Sequence, residues 1–219
     1  MSNSDNVKSI ALMFNILAEI FYRNPDEEFK NTLSELDTSI FITNKTNLQD
    51  LALLKIDEIK QLASQLPLLA LKQDFNALFV RPKGKLAYPW GSVYLNKQNR
   101  LFDHTTLAFM DFCKLQDLNF NLEHNEPTDH FSLMLVALVH CLELDSVSGS
   151  ASSQGEEGTS RTEVLLSQHL LPWSERFLTL VIDNDNSGLY SAAAQLSKLL
   201  LTELTAELSI TVVEVELYK

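Results

Sequence analysis

Cysteine is scarce in this sequence, with only Cys113 and Cys141 among 219 residues. A disulfide framework would need more cysteines, and neither residue belongs to a CxxC pair that would indicate a zinc or redox site. Both lie in apolar, helical patterns. We therefore expect two small, buried hydrophobic side chains in a reducing compartment.

Long hydrophobic runs and targeting signals are also lacking. The longest apolar run is about a dozen residues, shorter than the roughly 20 that a membrane-spanning helix requires. Residues 1–9 show no basic start followed by an apolar run, so we expect no secretory signal. These absences predict a soluble protein of the cytoplasm.

Positive charge is low. Lys and Arg number 17 against 29 Asp and Glu, which makes the net charge −12. This balance argues against nucleic-acid binding, which needs a basic surface. A negative surface attracts cations, so a positively charged partner fits the composition better. Residues 81–85 form one small basic island, which we interpret as a solvated loop tip.

Recognisable catalytic and metal motifs are absent as well. The six glycines are scattered and form no GxxxxGK[ST] phosphate loop, and no GxSxG nucleophile motif occurs. The five histidines and two cysteines match neither a zinc finger nor an HExxH helix. We therefore expect a protein that is not an enzyme and that holds neither a metal nor a cofactor.

Helical periodicity dominates what is present, and the predicted fold class is all-α. With 219 residues, 45% of them hydrophobic, the chain fits a single globular, helical-bundle-like domain of about eight to ten helices. The residues after the last helix alternate apolar and acidic side chains and are predicted to be extended. The predicted helices cover about residues 5–23, a short stretch from Asp26, 48–66, a stretch carrying Leu71 to Phe79, 105–115, 127–143, 161–170, 172–183 and 187–208.

Residues 146–160 are rich in Ser and Gly and offer little to bury. We predict a flexible hinge loop here. It joins an N-terminal helical part, residues 1–145, to a C-terminal helical part, residues 161–219, of the same domain.

Residues 80–103, which we call the aromatic loop, break the helical pattern. Two prolines and two glycines fall within residues 82–91, a density that helices do not tolerate. The segment is nevertheless aromatic, with Tyr88, Trp90 and Tyr94. These rings belong either to the core, as most aromatic side chains do, or to a groove that receives an extended or helical peptide.

Asp129 and His130 stand at the start of the most apolar predicted helix. Pro127 is typical of a helical first turn, and residues 131–142 are apolar on nearly all sides, as in a helix at a domain centre. Adjacent helical residues point about 100° apart, so the two side chains cannot form a catalytic dyad with each other. On composition alone, Asp129 complements the helix dipole and His130 is a partly buried ring; the alternative is a binding site.

Four stretches together resemble the TorD/DmsD family of chaperones, and the DmsD branch in particular. In order and spacing the resemblance covers about residues 70–210. The stretches are Leu-Phe-Val at 78–80, Pro-Trp-Gly-Ser-Val-Tyr-Leu at 89–95, Asn-Glu-Pro-Thr-Asp-His at 125–130 and His-Leu-Leu-Pro-Trp-Ser-Glu-Arg-Phe-Leu at 169–178.

The resemblance implies a cytoplasmic, all-helical maturation chaperone for molybdenum-cofactor reductases such as dimethyl sulfoxide or trimethylamine N-oxide reductase. Its partner would be the twin-arginine signal peptide of the precursor, with the Tat translocon or cofactor-biosynthesis proteins as further partners. With Asp129 and His130 in the family motif, the binding interpretation is favoured for both. The signal-peptide-binding residues implied by position, with Glu126 added as an acidic neighbour, are Phe75, Leu78, Phe79, Trp90, Tyr94, Glu126, Asp129 and His130.

Two other functions stay open, an assembly scaffold that contacts the folded reductase and a guanine-nucleotide-dependent switch. Residues Arg81, Asp103 and Ser132 replace glycines that are usual in the family, which would change the width or polarity of a groove. The hinge at 146–160 leaves a monomer and a domain-swapped dimer as alternatives.

Overall fold

A computed structural model describes residues 3–41, 47–122, 126–148 and 159–219. The described residues are helical without a β-strand, which confirms the predicted all-α class. The elements are α1 (Asn3–Tyr22), α2 (Glu27–Ser34), a 3₁₀ turn (Thr38–Phe41), α3 (Asn47–Gln65), α4 (Leu68–Phe75) with a π-helical continuation (Asn76–Val80), α5 (Gly91–Leu95), α6 (His104–Leu115), α7 (Phe131–Ser148), α8 (Arg161–Val164) with a π-helical continuation (Leu165–Leu170), α9 (Leu171–Asn184) and α10 (Leu189–Glu207).

Helix α7 occupies the centre of the domain, as its apolar sequence predicts. It lies along α1, and the two helices meet through aromatic rings. The ring of Phe131, the first residue of α7, is edge-to-face with Phe21 of α1 at 5.2 Å between centroids. It also packs at 5.0 Å from Phe177 of α9, so three helices converge on this one side chain.

The bounds of α7 differ from the prediction at both ends. Pro127 is not a first-turn residue, because the helix begins at Phe131 and residues 126–130 precede it. The C-terminal end lies at Ser148, so residues 146–148 of the predicted hinge loop are helical. Residues 149–158 of that loop lie outside the described part of the chain.

The late start of α7 has a tertiary cause. The Phe131 N–H donates to the carbonyl of Pro89 at 2.7 Å, and the Gly91 N–H donates to the carbonyl of Asp129 at 3.1 Å. These bonds form an isolated antiparallel bridge between Trp90 and His130. Backbone groups that a helix would use locally are therefore committed to a partner about forty residues earlier in the chain.

The aromatic loop is partly helical, which corrects the prediction of an irregular segment throughout. Its residues Gly91–Leu95 form α5, and this short helix is packed closely against α9. Tyr94 of α5 stacks on Trp173 of α9 with 5.6 Å between ring centroids. Val93 and Tyr94 of the loop are therefore buried, whereas Trp90 is half-buried and Val80, Leu101 and Phe102 are exposed.

Both cysteines are buried and unpaired, which confirms the prediction of small buried hydrophobic residues. Burial raises the pKa of each thiol to about 12. Neither sulfur is therefore a reactive thiolate near neutral pH. Within the described ranges, none of the helices combines the length and the apolar character that crossing a membrane would need.

Gly91 of α5 lies directly against Trp173 of α9. A Cβ atom at residue 91 would lie 2.7 Å from Nε1 of Trp173. We expect Gly91→Ala to lower the free energy of unfolding by about 1–3 kcal/mol, the usual cost of overpacking a well-filled core. Urea unfolding of the variant and the wild-type protein measures this loss.

A double-mutant cycle with Trp173→Phe isolates the contact. Phenylalanine lacks the indole nitrogen that the new Cβ would meet, so Gly91→Ala should cost less in that background. Equal losses in the two backgrounds would contradict the steric explanation.

Candidate functional site

The aromatic loop and the residues before α7 are held together by Asp129. Its Oδ2 accepts the N–H of Ser92 at 2.6 Å, in addition to the backbone bond from Gly91 to its carbonyl. Trp90 stands at the N-cap of α5 without a side-chain cap of its own. Asp129 therefore acts as the cap of α5 from a distant part of the chain.

This role differs from the one that the sequence suggested. Asp129 was expected in the first turn of α7, where a carboxylate complements the dipole of its own helix. It instead satisfies the N-terminus of α5, because the antiparallel bridge turns its carboxylate toward Ser92. The same favourable charge–dipole interaction is used, but between two elements instead of within one.

Asp129 is nearly inaccessible to solvent, with 1% of its surface exposed. Burial raises the pKa of this carboxyl above its ordinary value, while the Ser92 N–H and the hydroxyls of Ser92 and Thr106 act in the opposite direction. A carboxylate this deep cannot reach a ligand directly in the present arrangement. Its effect on a ligand would pass through the loop that it anchors.

His130 is buried in the same place, between two aromatic rings. Its Nδ1 accepts the N–H of Ser132 at 3.1 Å, which leaves Nε2 to carry the proton of the neutral ring. Tyr22 and Trp90 flank the imidazole edge-to-face, with centroids at 5.3 Å and 5.7 Å. Burial lowers the pKa of His130 to about 3, so the ring is neutral at pH 7.

Glu126 joins this row of rings at its outer end. The hydroxyl of Tyr22 donates to Oε2 of Glu126 at 3.2 Å. Trp90, His130, Tyr22 and Glu126 thus form one contiguous series from the aromatic loop to a carboxylate. Trp90 and Glu126 are only half-buried, so both ends of the series face solvent.

The aromatic faces of the loop are occupied by cations of the chain itself. Nζ of Lys85 lies 5.6 Å from the ring centroid of Trp90 and 5.7 Å from that of Tyr88. Nζ of Lys219 lies 4.4 Å from the centroid of Tyr88. These distances are typical of cation–π contacts, which favour ammonium and guanidinium groups.

The remaining predicted site residues lie deeper. Phe75, Leu78, Phe79 and Tyr94 are each less than 5% exposed and belong to the core. Phe79 is edge-to-face with Tyr190 at 5.6 Å, and the carbonyl of Leu78 accepts the N–H of Ala87 at 3.1 Å. These side chains support the aromatic loop from behind, and their contact with a peptide stays a prediction.

Arg81 and Asp103, which stand where the family usually has glycine, make defined local contacts. Arg81 Nε donates to the carbonyl of Gly84 at 2.5 Å, and Lys85 Nζ donates to the carbonyls of Val80 and Arg81. The basic island is therefore folded onto its own backbone and is more than a solvated tip. Asp103 accepts from the side-chain amide of Asn96.

Sequence reasoning did not assign Tyr22 to the site, although this residue connects His130 to Glu126. Its position at the end of α1 carries no local signal, since only the packing of α1 along α7 brings it there. Tyr88 and Lys85 were noted only as parts of an aromatic segment and a basic island. Across the described residues, no three or more His, Cys, Asp or Glu side chains are grouped so that they could hold a metal ion.

The buried, neutral state of His130 makes stability depend on pH. The unfolded chain takes up a proton near pH 6.5, whereas the folded chain does so only near pH 3. The stabilisation is therefore fully present above pH 6.5 and is lost as pH falls, by up to about 1.4 kcal/mol per pH unit. His130→Asn removes the titration but keeps an oxygen near the position of Nδ1.

Urea unfolding at about pH 7.5 and about pH 5.5 should show wild type losing about 1.4 kcal/mol more than His130→Asn. Buried His169, whose pKa is lowered to about 4, contributes to both proteins and cancels. His104→Asn is the matched control, because that side chain is 76% exposed, and it should follow wild type. An equal decrease in the free energy of unfolding in wild type and His130→Asn would argue against this titration of His130.

Comparison with known proteins supports the resemblance noted in the sequence. The family model described as the nitrate reductase delta subunit matches residues 25–179. The Tat proofreading chaperone DmsD of Salmonella typhimurium is 33% identical over 150 residues, which cover 68% of each chain. The chaperone protein TorD of Vibrio cholerae is 26% identical over 189 residues, or 83% of each chain.

A solved structure has the same fold. It is described as that of a candidate redox enzyme maturation protein of Archaeoglobus fulgidus and superposes with a TM-score of 0.53. The match covers 88% of this chain and 92% of the other, and at 18% identity it bears on the fold alone. The named sequence relatives are chaperones and not enzymes. The chain therefore belongs to the nitrate reductase delta subunit family and, within the known chaperones, to the TorD/DmsD group.

Proposed function

We propose that this chain is a cytoplasmic maturation chaperone that binds the twin-arginine signal peptide of a molybdenum-cofactor reductase precursor. The client would be of the dimethyl sulfoxide or trimethylamine N-oxide reductase type. The chaperone would hold its leader until the cofactor is loaded and then release the precursor for export.

The observation that carries this proposal is the pair of lysines over the aromatic loop. Lys85 and Lys219 lie within 6 Å of the rings of Tyr88 and Trp90, so these rings already have a geometry that accepts side-chain cations. The arginines of a leader would compete for the same faces, and guanidinium stacks on aromatic rings especially well. The net charge of −12 favours the approach of such a peptide.

Glu126 supplies the counter-charge in this proposal. It is half-buried at the outer end of the row that runs from Trp90 through His130 and Tyr22. An arginine at this end would pair with the carboxylate, while Asp129 and His130 keep the row in place. The apolar wall behind this row would be formed by Phe75, Leu78, Phe79 and Tyr94. The hydrophobic region of the leader would lie toward this wall.

The names of the relatives agree with this function. DmsD of Salmonella typhimurium is called a Tat proofreading chaperone, and TorD of Vibrio cholerae is called a chaperone protein. Proofreading before Tat export implies recognition of the exported precursor. The motif residues Trp90, Asp129 and His130 meet at the antiparallel bridge, which supports our assignment of the recognition to this region.

Isothermal titration with a leader peptide of a dimethyl sulfoxide reductase tests the proposal. We expect micromolar or tighter binding, about −8 kcal/mol, that is lost when the two arginines of the peptide become alanines. Glu126→Gln should weaken binding by up to about fivefold, since a solvent-exposed ion pair contributes at most about 1 kcal/mol. Asp57→Asn removes the same charge from the exposed surface of α3 and should leave binding unchanged.

The role of Asp129 is tested by two variants of one residue. Asp129→Ala removes the cap of α5, so we expect leader affinity to fall about tenfold while the helical circular dichroism is kept. Asp129→Asn retains an oxygen that can accept the Ser92 N–H and should bind nearly as well as wild type. If the alanine variant binds as tightly as wild type, the loop anchored by Asp129 is not part of the peptide site.

A pull-down of the precursor with and without its leader separates the proposal from an assembly scaffold. Capture that requires the leader supports signal-peptide recognition. Equal capture of the leaderless reductase would instead support a scaffold that contacts the folded enzyme.

A further inference from the structure

Residues 211–219, which we call the C-terminal segment, return to the aromatic loop after α10. Following the turn at 208–209, the segment runs without a helix, turn or bend. The N–H of Tyr218 donates to the carbonyl of Tyr94 at 2.9 Å. Arg176 Nε donates to the carbonyl oxygen of Lys219 at 3.0 Å, and the Lys219 ammonium lies over Tyr88.

The hydrogen bond to Tyr94 has a specific physical basis. Tyr94 is in the last turn of α5, where carbonyl groups have no partner within the helix. The N–H of an adjoining extended chain satisfies this carbonyl. Any peptide in the same path could do so, because the bond uses backbone atoms and reads no side chain.

The segment lies between two cavities. A cavity of about 530 Å³ has walls from α5, α6 and the start of α9 on one side and the C-terminal segment on the other. A second cavity of about 590 Å³ lies between α9 and α10 and is bordered by residues 209, 210 and 212. The wall of the first cavity includes Leu95, His104, Thr105, Pro172, Val213, Val215 and Tyr218.

The C-terminal segment is weakly held. Val213 is 60% exposed, and Val212, Val215 and Leu217 also keep much of their surface in solvent, so burial of their apolar surface stabilises the docked segment little. The contacts that hold the far end are the backbone hydrogen bond from Tyr218 to Tyr94, the bond from the Arg176 side chain to the Lys219 carbonyl and the cation–π contact of Lys219 with Tyr88. A segment with few buried contacts opens at low free-energy cost.

The first cavity and the adjoining ring of Tyr88 form a groove, which we call the client groove, and the C-terminal segment has the chemistry expected of its ligand. Apolar side chains alternate along it, its backbone bonds to α5, and its lysine lies on an aromatic ring. It differs from a basic leader in carrying Glu214 and Glu216 within a chain of net charge −12. A cationic peptide would therefore gain electrostatic free energy in the position that the segment holds.

We propose that the C-terminal segment is an intramolecular occupant of the client groove, and that an extended, basic client peptide displaces it on binding. This inference rests on the proposed function. The client backbone would bond to Tyr94, its apolar side chains would enter the cavity between α5, α6 and α9, and an arginine would replace Lys219 over Tyr88. The segment then lowers the affinity for clients and excludes peptides that lack the basic group.

Deletion of residues 212–219 tests the displacement. Titration with the same reductase leader should show affinity about tenfold tighter than that of the full chain, which corresponds to about 1.4 kcal/mol. The gain is expected because the leader no longer competes with a tethered segment. An unchanged or weaker affinity in a folded deletion variant overturns the inference.

Two point variants test the same displacement without shortening the chain. Tyr218→Pro removes the side chain and the N–H that bonds to Tyr94, whereas Tyr218→Ala removes only the side chain. We expect the proline variant to bind the leader more tightly than the alanine variant. Equal affinities would show that the backbone bond does not hold the segment in the client path.

A synthetic peptide of residues 211–219 provides the complementary measurement. Added to the deletion variant, it should compete with the leader, and failure to compete contradicts a shared groove.

If full-length and deleted proteins bind the leader equally, the inference fails and the proposed function stands. If neither protein binds it, the proposed function fails and the inference fails with it.

Discussion

The attachment of Gly91 and Ser92 to Asp129 is the interaction on which the arrangement of the site depends. Asp129 provides a carbonyl for Gly91 and a carboxylate for Ser92, and the N–H of Phe131, two residues later, bonds back to Pro89. A loop rich in proline and glycine has many conformations, and tying it at three backbone positions removes most of them. Burial of the Asp129 carboxylate is partly offset because its Oδ2 accepts the Ser92 N–H at the N-terminus of α5.

The packing beneath this attachment explains why the loop can be held so closely. Phe131 continues directly from the bridge into the aromatic core, where it meets Phe21 and Phe177. Gly91 lets α5 approach Trp173 at a distance that leaves no room for a side chain. The bridge, α5 and the core are therefore packed against one another. We expect a substitution at Asp129 or Gly91 to shift the rings of Tyr88 and Trp90 as well.

Electrostatics acts on two scales in this molecule. The excess of acidic residues produces a general attraction for cations, which carries no information about where they bind. The aromatic faces of Tyr88 and Trp90 supply the local preference, and they are covered by Lys85 and Lys219. His130, which burial keeps neutral, adds no competing positive charge to this region near pH 7. The proposed ligand, a signal peptide with two arginines, would be attracted both by the overall charge and by these rings.

The helical class, the central position of α7, the burial of both cysteines and the family could all be predicted from the sequence, because these follow from periodicity, apolar composition and uninterrupted motifs. Two of those motifs also identified Trp90, Asp129 and His130 as candidate site residues. The start of α7 could not be predicted, because the N–H of Phe131 bonds to the carbonyl of Pro89 and not to a preceding helical turn. Likewise, Asp129 caps α5 and not its own helix, Phe79 and Tyr94 lie in the core, and Tyr22 and Lys219 reach the aromatic rings. Contacts between residues so distant along the chain depend on how the helices pack, and local sequence patterns do not encode that packing.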